Sequence, residues 1–94
     1  MTNNTIKTET QKTNADAFFT AVADTLDQLA ARWEDESEYE DINDYQKPLE
    51  PIAARHGVRI LKMTKRPFGL HFTVDAKVYA AFVNRRGIGY KRIS

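Results

Sequence analysis

With 94 residues, 41% of them hydrophobic and 29% charged, the chain can bury about 60–65% of its surface around one small core, and it lies away from the low-hydropathy, high-charge corner where chains stay unfolded. It has no cysteine, which excludes a disulfide framework or a thiolate zinc site and favours a reducing cytosol; no run approaches the roughly 18 apolar residues of a membrane span, and the amino terminus lacks the apolar segment of an export signal. The formal net charge of +1 conceals a division: residues 1–50 carry four Lys/Arg against twelve Asp/Glu, a net −8, while residues 51–94 carry ten against Asp75 alone, a net +9.

Residues 1–13 show no apolar period and are expected to form a flexible tail ahead of one α+β domain over 14–94. From Ala15 the spacing of Phe19, Val22, Leu26, Leu29, Ala30 and Trp33 predicts a helix running to about Glu36, opened by Thr13 and Asp16 as a weak capping box. The acidic block that follows, with seven carboxylates between Glu34 and Asp44, predicts a fraying helix end and then a loop. Lys47 to Gly57 reads as a short helix with proline in its first turn and Gly57 just past its end.

Val58 to Thr64 reads as a strand whose apolar phase changes between 60 and 61, the mark of a bulge or of two covered faces. Arg66-Pro67-Phe68-Gly69 fits a type I turn, and Leu70, Phe72 and Val74 alternate with His71 and Thr73 as a half-buried strand paired to the one before. Residues 76–86 are ambiguous. Asp75 as N-cap, an apolar stripe at 78, 79, 82 and 83, and Gly87 past the end favour a helix; the strand-forming residues and a hairpin turn at Asn84–Gly87 favour a strand. Ile88 to Ser94 closes the chain as a short edge strand. The expected core is Phe19, Val22, Leu26, Leu29, Trp33, Ile52, Ile60, Leu70, Phe72, Val74, Val78 and Phe82.

Catalytic motifs are missing from the sequence. His56 and His71 have no neighbour at metal-ligand spacing, Ser37 and Ser94 lack a nucleophile-elbow context, and the four glycines are each explained by a turn or cap. No enzymatic activity, cofactor or metal is therefore expected. The acidic block lacks the order of ligands of an EF-hand. A helix with an acidic end and an acidic loop resembles the opening of the frataxin family, whose first helix and acidic ridge bind iron; here the basic hairpin and carboxyl terminus are expected in place of that family's long antiparallel sheet, and the iron function is not carried over. His71 to Phe82, followed by Gly87-Ile88-Gly89-Tyr90-Lys91-Arg92-Ile93, resembles the strand, first helix and connector of ribbon-helix-helix antitoxins. That resemblance implies a helix at 76–86 and a strand that reads the major groove. The family's second helix has no counterpart in the residues up to Ser94.

The sequence thus predicts two N-terminal helices packed on a small antiparallel sheet, with a third helix before the last strand. Its expected function is a cytoplasmic, non-enzymatic binding or regulatory module that contacts nucleic acid through Lys62, Lys65, Arg66, Arg85, Arg86, Tyr90, Lys91 and Arg92, with Phe68 and Tyr90 interleaved as stacking rings. The alternative is a small protein-binding adaptor or inhibitor, encoded by a mobile element such as a phage or plasmid. It would hold a partner with a basic surface through Glu34, Asp35, Glu36, Glu38, Glu40, Asp41 and Asp44. No membrane partner is expected.

Overall fold

In the computed structural model, which describes residues 13–36 and 38–94, Asn14–Glu36 forms one long helix, α1. Ala15, Phe18, Val22 and Leu26 recur at three- and four-residue steps and are fully buried, so the buried stripe is centred on Phe18, and Phe19, Leu29 and Trp33 flank it half-buried. Thr13 caps the helix: its hydroxyl accepts from the Asp16 amide at 3.0 Å, satisfying one of the free amides of the first turn. The tail expected over 1–13 lies, apart from Thr13, outside the described residues.

The acidic block runs from the last turn of α1 through a turn at Glu38 and Tyr39 to Asp41, as its charge suggests, but its end is ordered as a helix. Asp41 accepts from the Asn43 amide at 2.9 Å and so caps a 3₁₀ helix, Ile42–Leu49, that buries Ile42, Tyr45 and Leu49. These apolar residues at steps of three and four bind the segment to the core despite its carboxylates. The short helix α2, Glu50–Arg55, follows directly with Pro51 in its first turn, and Gly57 at φ +66° turns the chain toward the sheet.

Four strands, β1 (Arg59–Lys65), β2 (Phe68–Val74), β3 (Lys77–Asn84) and β4 (Gly87–Arg92), then run as an antiparallel meander with β1 and β4 at its edges. The phase change seen in the sequence of β1 is a bulge: the register shifts between Ile60 and Lys62, leaving Leu61 as the extra residue. The first turn falls one residue earlier than expected, as a two-residue loop Arg66-Pro67 with a cis peptide bond. Gly69 therefore belongs to β2, where an added Cβ would overlap the Ala81 carbonyl oxygen.

The third helix is replaced by β3, which removes the implication drawn from the antitoxin resemblance. Asp75 and Ala76 take φ of 55° and 61°, the left-handed pair of a tight hairpin loop, and Tyr79, Ala81 and Val83 then alternate toward the helices while Val78, Ala80 and Phe82 face away. With period two satisfied on both faces and its two flanking strands, β2 and β4, in register, the strand outcompetes a helix of equal apolar content. The basic hairpin expected after the acidic segment is the first half of a four-stranded antiparallel meander.

All the helical elements lie on one side of the sheet: α1 crosses β2, β3 and β4, and the 3₁₀ helix covers β1. Phe72 sits at the centre, its ring 4.8 Å from Phe18 and 5.4 Å from Tyr79. Two polar contacts fix the start of α1 to the sheet. Tyr90 donates its hydroxyl to Asp16 at 3.1 Å, and the Asn14 amide reaches the Asp75 carboxylate at 3.2 Å. No helix among the described residues is long and apolar enough to cross a membrane.

Candidate nucleic-acid interface

The second face of the sheet carries no helix. Strand register arranges its side chains in three rows from β1 to β4: Thr64, Gly69, Phe82 and Gly89; Lys62, His71, Ala80 and Lys91; and Arg59, Thr73 and Val78, with Ile93 bonded to Val78 beyond β4. Small and apolar groups thus occupy the middle, and cations stand at both edges. No carboxylate lies in these rows.

A hollow of about 480 Å³ opens here, lined by Pro67, His71, Ala80, Phe82, Lys91 and Ile93, with Arg66 at its corner. The Phe82 ring lies over Gly89, where an added Cβ would come within 3.0 Å of its Cζ. A larger residue at 89 would push the ring aside by a few tenths of an ångström. The hydroxyls of the face are already used: Thr64 donates to the Pro67 carbonyl at 2.9 Å and Thr73 to the Lys77 carbonyl at 2.8 Å. His71, half-buried between Lys62 and Ala80, has its pKa lowered first by burial and then by the Lys62 charge. Near neutrality it offers an uncharged ring.

Of the residues expected to bind nucleic acid, Lys62, Arg66 and Lys91 meet on this face. Lys65 and Arg85 do not. With Arg66, which lines both hollows, they rim a separate hollow of about 380 Å³ that includes Trp33 and Glu34, beside the carboxyl end of α1, whose last turn has acids and no base; there they answer the negative end of the helix dipole. Arg86 lies exposed in the β3–β4 turn, its amide held by Asn84 at 2.8 Å, and Arg92 donates to the Ser94 carbonyl at 3.2 Å. Tyr90 and Phe68 are not available for stacking. Tyr90 faces the helices, 4.7 Å from the Phe19 ring, and Phe68 is buried beside Trp33 and Tyr45. The aromatic surface of the site is instead Phe82 and His71: the spacing over 76–86 favours a helix over the strand that brings Phe82 to this face, and the alternation of β2 marks His71 only as polar.

The acidic residues divide similarly. Glu40 accepts from both the Tyr45 hydroxyl and the Arg32 guanidinium and Asp41 is the 3₁₀ cap, so these two serve the fold, while Asp44 makes an exposed pair with Lys47 at 3.6 Å. Glu36 lies 3.7 Å from Arg32, whereas Glu34, Asp35 and Glu38 are exposed without an ion pair among the described residues. No ion pair among the described residues joins the acidic half to the basic half.

The Tyr45 hydrogen bond, and then Arg32, hold the Glu40 carboxyl below its usual 4.5, while burial and then Glu40 push the Tyr45 hydroxyl up to about 12. Because the folded carboxyl holds its proton less tightly than the unfolded one, this contact stabilises the fold fully above the usual carboxylate range and is lost as pH falls through the folded value. Glu40→Gln is expected to lower Tm near neutrality and to flatten the acid limb of a plot of Tm against pH, read by circular dichroism between about pH 3 and 7. An unchanged acid limb would remove Glu40 from this role.

Among the described residues no group of three or more His, Asp or Glu is placed to hold a metal ion. Comparison with protein-family models, curated proteins and solved structures gave no match.

Proposed function

We propose that this chain is a non-enzymatic binding module that holds nucleic acid on the uncovered face of its sheet, acting as a regulatory protein of the cytoplasm. The reading rests on one observation: Arg59, Lys62, Arg66 and Lys91 frame an apolar floor that bears no carboxylate. Lysine and arginine on such a face neutralise phosphates and release their counterions, so affinity should fall steeply with salt. Four phosphate contacts correspond to a slope of about −3 in log affinity against log salt for a single strand. Fluorescence anisotropy of a labelled oligonucleotide titrated with the protein between about 50 and 200 mM salt measures it. Failure to bind any oligonucleotide at the lowest salt would sink the proposal.

A second reading, a protein-binding adaptor, draws on Tyr39, which is 88% exposed beside Glu38. An exposed aromatic ringed by charge is a common interface anchor. A stoichiometric protein retained from nuclease-treated extract, and released by Tyr39→Ala with Glu38→Lys, would favour it over the first.

A further inference from the structure

Resting on that reading, we infer that the ligand is single-stranded, RNA or DNA, with bases stacked on Phe82 and His71 and its phosphates held at the Lys62 and Lys91 edges. Width argues against a duplex. Three strand spacings of about 4.8 Å place β1 and β4 about 14 Å apart, already more than the roughly 12 Å of a major groove that takes a two-stranded ribbon. The sheet cannot enter the groove and would meet only the ridge of a duplex.

The chemistry of the floor argues the same way. A duplex keeps its base faces inside, so Phe82, Ala80 and Val78 would gain nothing from it, whereas an unpaired strand exposes π-faces that match an aromatic ring. Phe82 and His71 are diagonal neighbours on adjacent strands, roughly 7 Å apart, and the two edges each offer a cation on one row, Lys62 and Lys91. A second copy of this chain is a poor occupant. Its own basic face would be brought against this one with no carboxylate between them.

The test is anisotropy with labelled oligouridine and oligothymidine of about 12 nucleotides, and with a duplex of equal length, at about 50 mM salt. The single strands are expected to bind at least about 10-fold tighter than the duplex, with the two sugars compared directly. Phe82→Leu, which keeps apolar bulk and loses the ring, should weaken single-strand binding by about 10-fold, and Phe82→Tyr should restore it. Photo-crosslinking of wild-type protein to 5-iodouridine oligonucleotide supplies a readout independent of whether Phe82→Leu folds: the adduct should map to the peptide holding Phe82 or His71. Equal or tighter binding of duplex, adducts confined to other segments, or undiminished affinity in a folded Phe82→Leu protein would overturn the single-strand inference while leaving polyanion binding standing. Loss of all binding would overturn both.

Discussion

Lys62→Glu, Arg66→Glu and Lys91→Glu combined are expected to reduce affinity for a single-stranded oligonucleotide by about 100-fold or more at low salt and to abolish most of its salt dependence. Each change removes one phosphate contact and adds a repulsive charge on a face that otherwise has none. The fold should survive, because all three residues are exposed and surface substitutions of this kind usually shift stability by about 0.5 kcal/mol or less. The informative comparison is Arg85→Glu with Arg86→Glu, two charge reversals side by side at the β3–β4 turn. There the loss should be only about fivefold, arising from the long-range field and not from contact. If the turn pair matters more than the face, the site lies at the end of the sheet, and the rows of β1 to β4 are not where the ligand sits.

Phe72→Ala is expected to destabilise the protein by about 3–5 kcal/mol, a large share of the total stability of a domain of this size. The ring is fully buried on a central strand, edge-on to Phe18 and stacked on Tyr79, and no neighbouring segment can collapse into its space without moving α1 off the sheet. Urea unfolding followed by circular dichroism measures the loss. A cost below about 1 kcal/mol would mean that the helices do not cover the face bearing Phe72. The assignment of the opposite face as open would then fail with it, because consecutive strand residues alternate sides.

Much of this architecture was legible in the residues. The period of α1, the alternation of β2 and the phase slip that becomes the Leu61 bulge all follow from spacing alone. The helix and its stripe were found, yet Phe19 was placed in the core ahead of Phe18, because neighbouring aromatics cannot be ranked by period until a packing partner fixes the helix rotation. Ile42 and Tyr45 are hidden at the end of a run of carboxylates; charge density masks their spacing to Leu49, which the capping Asp41 turns into a 3₁₀ helix. In β3, residues 78, 79, 82 and 83 satisfy a helical stripe and a two-sided strand equally. Only the tight Asp75-Ala76 loop and the partner strands decide, and that loop lacks the glycine that usually betrays it.

The site was legible as charge and not as shape. Lys62, Arg66 and Lys91 were singled out as cations of one half of the chain, but their meeting on a common surface depends on strand register, and His71 and Phe82 join them only because α1 chose the other side. Tyr90 was selected as an accessible ring and is instead used to anchor α1 through Asp16. Long-range packing, which no local window contains, made that choice.

Gly69 and Gly89 stand on either side of Phe82 in the same row, so no side chain fences the ring toward β2 or β4. A planar guest could settle on that bare shelf in more than one orientation, because within the row itself neither neighbour of Phe82 has a side chain with which to read the guest's edge. Such a surface would grip by area and charge and remain indifferent to the order of letters along the strand it carries.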